Sequence, residues 1–456
     1  MKEKKKTVSL MSTVLFTVCS VIALDSFVSP AIIGVPVLMV WVIAAVFFFV
    51  PYGFISAELG ASYPDDGGIT SWTSRAFGEF HGVMVGWMYW VNVAFWMPAV
   101  FTAFSGWVAL AFFPGMPLWV QGILAVLMCW GIVLIGIRGM DFSIRTANFM
   151  AVLKVSVLVL FGIAGILYTI KNGAANDFHP SAFIPGADET LRYTAVIIYN
   201  LMGFELIGSI GSRIEDAKRT VPRMIVIAGI LITVLYAFGT FGILAAVPAS
   251  EIDEVDGFIL AMRELFTVFG GCGKPLYYVV SAGAVFSLAA NMITWTLGSN
   301  ESFQAAGLHE RSALLAHRHP VYGTSDGLYI LMGIISTVLI VLNYALSGDA
   351  NEIFWTIFRF SSLVFMLCYL YMFTAFIVLK YKDPKPRAYE VPLGKPGAWI
   401  LFSLCFAGTL LACYFLTDWD AGHYGFWMEW IGLAWTIAMG VWLYRAGVRK
   451  KKNRDC

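Results

Sequence analysis

Charge is what this sequence has least of. Only 13% of its 456 residues are Asp, Glu, Lys or Arg, about half the roughly 25% found in ordinary soluble domains. A soluble chain of this length splits into two or three domains, each needing a charged coat. There is too little charge here to make one, which argues against a soluble enzyme, a soluble binding module or a disordered chain. The formal net charge is +1, so no global field draws DNA or RNA and no nucleic-acid partner is expected. Histidine is also scarce. His81, His179, His309, His317, His319 and His423 all fall in loops or at span ends. A membrane-embedded acyltransferase or protease needs a histidine or paired carboxylates at membrane depth, so an enzyme is not expected. The seven cysteines (Cys19, Cys129, Cys272, Cys368, Cys405, Cys413 and Cys456) form no CxxC or Cys/His cluster. They read as reduced thiols acting as small core residues, with no metal and no cofactor implied. No phosphate-cradling glycine loop is present, which argues against ATP-driven transport.

What is abundant is apolar surface. Hydrophobic residues make up 59% of the chain, aromatics 16%, and mean hydropathy is +0.76. Long apolar runs, rather than alternating ten-residue segments, point to an all-α polytopic membrane protein and away from a membrane β-barrel. About twelve runs are long enough to cross a bilayer, near 8–36, 37–57, 82–112, 117–136, 147–170, 190–212, 223–247, 275–299, 326–346, 351–380, 398–417 and 425–444. They are numbered spans 1–12. The first follows a lysine-rich start but has no small-residue cleavage site, so it reads as an uncleaved span. With both termini on one side, that side collects about 24 of the 30 Lys and Arg, including Lys2, Arg75, Arg138, Arg213, Lys218, Arg311, Lys385, Arg387 and the tail 445–456. Asp177, Asp188, Glu251, Glu254, Asp349, Asp418 and Asp420 gather on the other side. The asymmetry predicts cytoplasmic termini and insertion in the cell membrane, plasma or inner. The chain reads as one transporter domain, 1–456, because its loops are too short for a core of their own.

Ionisable residues at membrane depth are costly and are functional candidates. Four stand out: Asp25 in span 1, Lys154 in span 5, Glu205 in span 6 and Arg359 in span 10. Asp25 sits among Ser26, Ser29 and Pro30, and Glu205 among Gly203, Gly208 and Gly211, so both stretches carry helix breakers. Spans 1 and 6 open two five-span halves, and paired breaks at equivalent positions point to a transporter's binding site. The plainer readings stand beside this one. A membrane acid can pair with a neighbouring base, Lys154 can form a structural ion pair, and Arg359 can snorkel to the interface. Trp87, Trp90, Trp96, Trp427 and Trp430 read as packing or interface belt.

Three motifs then carry a resemblance. They are Glu58-Leu59 through Tyr63-Pro64-Asp65-Asp66-Gly67-Gly68 to Arg75-Ala76-Phe77-Gly78; Glu205 followed by Glu215 to Arg223; and Arg387-Ala388-Tyr389-Glu390-Val391-Pro392-Leu393-Gly394. In this order, the chain resembles the amino acid–polyamine–organocation transporter superfamily along nearly its whole length. The resemblance implies two inverted five-helix repeats, 8–170 and 190–380, with broken helices 1 and 6. Helices 11 and 12 (398–444) and the basic tail would complete the chain. It implies a substrate site at the breaks, drawing on Ala23, Asp25, Ser26, Phe27, Asn92, Met97, Tyr199, Met202, Gly203, Glu205 and Trp295. Trp295-Thr296-Leu297 is similar to the Trp-Thr-Leu of arginine/agmatine exchangers, whose indole packs on the substrate. Tyr199 stands where those exchangers carry a gating Trp. Glu205 corresponds to an acid linked to proton or amine binding. Lys154 corresponds to a lysine that replaces a sodium ion in proton-coupled relatives. Proton coupling is thus expected from Glu205, Lys154 and Asp25.

Span 1 departs from the pattern. Amino acid carriers of the superfamily usually have Gly-Ser-Gly there, whose bare amides bind a carboxylate; this chain has Leu24-Asp25-Ser26-Phe27. Glutamate/GABA exchangers and eukaryotic polyamine permeases also carry an acid nearby. An anion at this point repels a substrate carboxylate and attracts an amine. The expected function is therefore secondary active transport, by proton symport or exchange, of a small amine or amino acid. A cationic amine such as putrescine or agmatine is favoured. A neutral or acidic amino acid carrier is the alternative, and a sensor on the same fold would need an added soluble domain. Monomer and homodimer are both compatible with the sequence.

Overall fold

The computed structural model describes residues 7–254, 256–345, 350–420 and 422–454. Lys2, Lys4, Lys5, Lys6, Asp349 and Cys456 lie outside these, as do the side chains of Asp188, Arg311 and the basic tail 448–454. Among the described residues there is no β-strand. A single isolated bridge pairs Val8 with Ile214. Among the described residues, eleven helices are long and apolar enough to cross a membrane, and a shorter one, Leu10–Val21, precedes them. Together they give the expected twelve spans.

Spans 1 and 6 are both interrupted. Span 1 is helical over Leu10–Val21, non-helical through residues 22–28, and resumes as a 3-10 turn at Ser29–Ile33. Span 6 is helical over Ala187–Asn200 and continues as a 3-10 segment, Phe204–Arg213, after a break at Gly203 (φ +132°). That φ belongs to glycine territory. The space is tight as well, because a Cβ there would meet Val21 Cγ2 at 3.0 Å. Gly208 and Gly211, read from sequence as breakers, serve a different purpose. A Cβ on Gly208 would lie 2.9 Å from Gly68 Cα, and one on Gly211 3.0 Å from the Asp65 carbonyl oxygen. They let the 3-10 segment lie against the 64–68 loop.

The remaining spans are Pro36–Ser62, Glu79–Phe112, Leu118–Ile137, Met140–Asn172, Ala217–Ala246, Gly273–Ala305, Asp326–Ala345, Ala350–Lys382, Gly394–Leu416 and Tyr424–Arg454. Span 2 contains a π turn at Ala45–Phe49, just before Pro51. Proline cannot donate to the preceding turn, and the wider turn accommodates the lost bond.

In lipid the drive to pack helices comes mainly from close contact, so small residues sit where spans meet. A Cβ on Gly165 of span 5 would lie 2.8 Å from Gly242 Cα of span 7. Span 5 runs along spans 7 and 8, span 8 along span 3, and the first half of span 1 against spans 5 and 7. Residues 22–28 and 201–203 at the breaks are buried in protein, which is the condition for non-helical backbone at membrane depth.

Candidate functional site

The two breaks are tied to each other. The Ser26 hydroxyl donates to Asn200 Oδ1 (2.6 Å), and Asn200 Nδ2 donates to the Ser26 carbonyl (3.2 Å). The Tyr236 hydroxyl of span 7 accepts from the Ala23 amide (2.9 Å). It also lies 2.8 Å from the Val21 carbonyl and 3.0 Å from the Asn200 carbonyl. One phenol therefore serves the orphaned backbone of both broken helices, and that is why the unwound segments hold a defined shape.

Lys154 is fully buried in span 5. Its ammonium donates to the Cys19 carbonyl (3.0 Å), the Ile22 carbonyl (2.5 Å) and Asn291 Oδ1 of span 8. Cys19 and Ile22 are the carbonyls left open where span 1 stops. Where the sequence allowed a structural ion pair, Lys154 makes its hydrogen bonds to two carbonyls of the break and to one side-chain amide. The ammonium is thus held by oxygens between spans 1, 5 and 8.

Glu205 is equally buried. The Tyr89 hydroxyl of span 3 donates to its Oε1 (2.6 Å), and the Tyr52 hydroxyl of span 2 donates to its Oε2. Tyr52 also accepts the Gly203 and Glu205 amides, each at 3.2 Å. The acid of span 6 is thus locked to spans 2 and 3 by two phenols.

Asp25 is different. It is 5% exposed, and its Oδ1 has no hydrogen-bond partner. Asn92 in span 3 is buried with both amide atoms unpartnered, and the Trp96 indole nitrogen one turn away is also unpartnered. Buried polar atoms are nearly always satisfied, so these orphans stand out. The surrounding wall is aromatic. Trp96 meets Tyr199 and Trp295 edge-on, with centroids 6.5 and 5.7 Å apart. Tyr199 also packs on Phe358 and Phe365, and Trp295 on Phe365 and Tyr89. The Trp295 indole is anchored by donating to the Ser20 carbonyl (2.9 Å).

The structure therefore brings Tyr199, Trp295, Trp96 and Phe365 together, with Asp25 close enough to Tyr199 to act on it electrostatically. Met97 and Met202 are buried, and a Cβ on buried Gly203 would lie 3.5 Å from Trp295 Cζ2. Phe27 turns away and packs on Tyr236 and Phe258 in the protein interior. Tyr52, Tyr89, Asn200, Tyr236 and Asn291 were not singled out from sequence. Asn291 had a faint signal, standing four residues before Trp295 and so on the same helix face. Trp96 was read as packing or interface belt, and it lies within the aromatic wall.

A cavity of about 490 Å³ opens on the acid-rich face, lined by Ser29, Tyr193, Glu254, Arg359, Asp418 and His423 among others. Ser29 lies four residues beyond Asp25, so this vestibule approaches the break. Arg359 has a partner within the protein. Its Nη1 pairs with Asp418 Oδ2 at 3.2 Å, and His423 Nδ1 lies 2.6 Å from the same oxygen. Burial alone would raise the Asp418 pKa, but the Asp420 amide, His423 and Arg359 outweigh it and hold the group below the usual carboxylate range.

Comparison with known proteins bears on what such an arrangement does. Residues 8–437 match the family model described as amino acid permease. A Lactococcus lactis protein named "Probable agmatine/putrescine antiporter" is 29% identical over 397 residues, covering 86% of this chain and 84% of that one. A "Probable polyamine transporter" of Arabidopsis thaliana is 26% identical over 388 residues, covering 82% and 71%. A glutamate/gamma-aminobutyrate antiporter of Lactococcus lactis is 22% identical over 423 residues, covering 90% and 83%. Among solved structures, a manganese transporter of Eremococcus coleocola superposes with a TM-score of 0.63 at 14% identity, covering 96% of this chain and 95% of that one. At that identity the likeness speaks to the fold alone.

Proposed function

Since this chain belongs to the amino acid permease family, and is a secondary transporter by that membership, we propose that it carries a small cationic amine, with putrescine or agmatine as the model substrates. The observation that carries this reading is the buried Asp25 carboxylate, in unwound backbone, with one oxygen unpartnered. A ligand ammonium supplies the missing partner and neutralises the charge. A ligand carboxylate in the same place would face an anion. The relatives named for agmatine, putrescine and polyamines support the same substrate class.

The mechanism proposed is alternating access. Substrate enters through the vestibule past Ser29, its amine meets Asp25, and its methylene chain lies on Trp295 and Trp96. Tyr199 closes over it, and the bundle containing spans 1 and 6 rocks against the scaffold of spans 3, 4, 8 and 9. Two inverted repeats, 8–170 and 190–380, are the framework for that motion. Glu205 sits between two phenols that can exchange donor and acceptor roles, which suits it to take up or release a proton as the bundle moves. Lys154 and Asp25 would share in the coupling. Both termini are assigned to the cytoplasm of a plasma or inner membrane by the positive-inside rule.

A second reading has a specific support. Glu205 already accepts from Tyr52 and Tyr89, so Asp25 is left to meet a substrate amine alone, as suits a monoamine or an amino acid with one ammonium group. A counterflow panel in proteoliposomes separates the readings. Putrescine and agmatine should compete better than glutamate, tyrosine or leucine; the reverse order would overturn the cationic-amine proposal.

A further inference from the structure

A second cavity, of about 290 Å³, lies on the opposite, basic face. It is built from four separate pieces of chain: the end of span 2 at Ser62 and Tyr63, the loop helix Ile69–Phe77, the start of span 7, and residues 383–388 before span 11. Its charge is lopsided. Arg75, Lys218, Lys385 and Arg387 line it against only Asp65 and Asp383. Both acids are engaged, Asp65 by Arg75 and Asp383 by the Tyr63 hydroxyl at 3.1 Å. The nearby Glu58 is taken by Lys380 (2.9 and 3.0 Å) and by the Val391 amide (2.8 Å).

Arg387 supplies an independent sign of a missing ligand. Its side chain is only 8% exposed. Nη2 donates to the carbonyls of Leu379 (2.7 Å) and Asp383 (3.3 Å), and Nε lies 3.7 Å from Glu58 Oε1. The buried Nη1 has no partner. The guanidinium is held in place from the side, lying over the Tyr63 ring at 5.3 Å, with Arg75 over the same ring at 5.4 Å. A fixed, planar cation with one donor unused, two lysines nearby and two more cations than carboxylates suits a compact dianion with several acceptor oxygens.

We infer that this cavity is a binding site for a phosphomonoester-type dianion, with Arg387 Nη1, Lys218 and Lys385 as its main contacts. Inorganic phosphate and the headgroup of phosphatidic acid share that chemistry. Bound there, the anion cross-links four chain segments at the basic mouth.

The test uses the full-length protein in phosphatidylcholine nanodiscs and does not depend on which substrate is carried. One arm titrates inorganic phosphate against sodium chloride of equal ionic strength. The other replaces part of the phosphatidylcholine with phosphatidic acid, without phosphate. Melting temperature is read in both. A saturable rise in either arm is expected, and the arm that responds identifies the source. K218Q/K385Q should weaken the apparent affinity about tenfold or more, the effect of losing at least one charge-assisted contact. R387Q should do the same, but it also frees the Leu379 and Asp383 carbonyls, so the double lysine variant decides. No rise in either arm, or a rise of unchanged affinity in K218Q/K385Q, would overturn the inference.

Discussion

The substitution Asp25→Asn separates ligand binding from structure, because the two effects have opposite signs. In the ligand-free protein, Oδ1 accepts no hydrogen bond, so the amide forfeits no contact at that atom. Removing a buried carboxylate with an unsatisfied oxygen relieves a desolvation cost. The ligand-free melting temperature should therefore equal or exceed that of the wild type. With a cationic amine bound, the same change removes a charge-assisted contact worth about 1.5–3 kcal/mol, or roughly 10- to 150-fold in affinity. The assays are thermal melts without and with putrescine or agmatine, and competition for counterflow in proteoliposomes. Stabilisation by the amine should vanish while the folded baseline holds. A variant that melts clearly below the wild type without ligand would show that Asp25 is a structural acid. Amine competition within about threefold of wild type, well under one lost ion contact, would remove Asp25 from the site.

Three further outcomes follow from the same geometry. Glu205→Gln should lower uptake of cationic substrates more than of neutral ones, and should cost about 1–2 kcal/mol of stability because an amide group faces the Tyr52 or Tyr89 hydroxyl in place of a charged acceptor; equal loss for all substrates, read by radiolabel uptake, would contradict the assigned role. Lys154→Met leaves the Cys19 and Ile22 carbonyls and Asn291 without their shared donor, so transport should be lost and stability should fall by about 3 kcal/mol or more; wild-type uptake at fixed pH should be the same in sodium and choline buffers, and a sodium requirement would refute the placement. Asp418 has its folded pKa below its unfolded value, so its interactions stabilise above the unfolded value of about 4 and fade as pH falls through the lower folded value; Asp418→Asn should melt lower than wild type near neutral pH, with the gap closing below about pH 4, and a gap that persisted in acid would mean that its charge is not what matters.

The broken helices, the four intramembrane ions and the order of the spans were legible in the sequence because each carries a large local cost. Unwound backbone needs glycine, serine or proline, and charge in an apolar run is conspicuous. What escaped was what meets those features across the bundle. Tyr236, which serves both breaks, lies in span 7 as an ordinary aromatic among apolar neighbours, and no local spacing marks it. Tyr52 and Tyr89 look like packing until Glu205 is seen between their hydroxyls. Trp96 is indistinguishable in sequence from the interface tryptophans around it. Gly208 and Gly211 were legible as glycines but not in purpose, since close approach to the 64–68 loop joins residues far apart in the chain. Phe27 stands two residues from Asp25, yet the irregular backbone between them sends the two side chains in different directions.

Lys154 has a consequence for how the carrier meets its surroundings. An ion that dissolves away must be recaptured on every cycle, so its occupancy rises and falls with the medium and the turnover rate inherits that dependence. A positive charge attached to the chain is present at a fixed effective concentration, and its ordering entropy is settled once, when the helices assemble. Under the proposed coupling, in which Lys154 takes the place of a dissolved cation, such a carrier would keep its pace in brine or in fresh water, and acidity would be the variable left for it to read from outside.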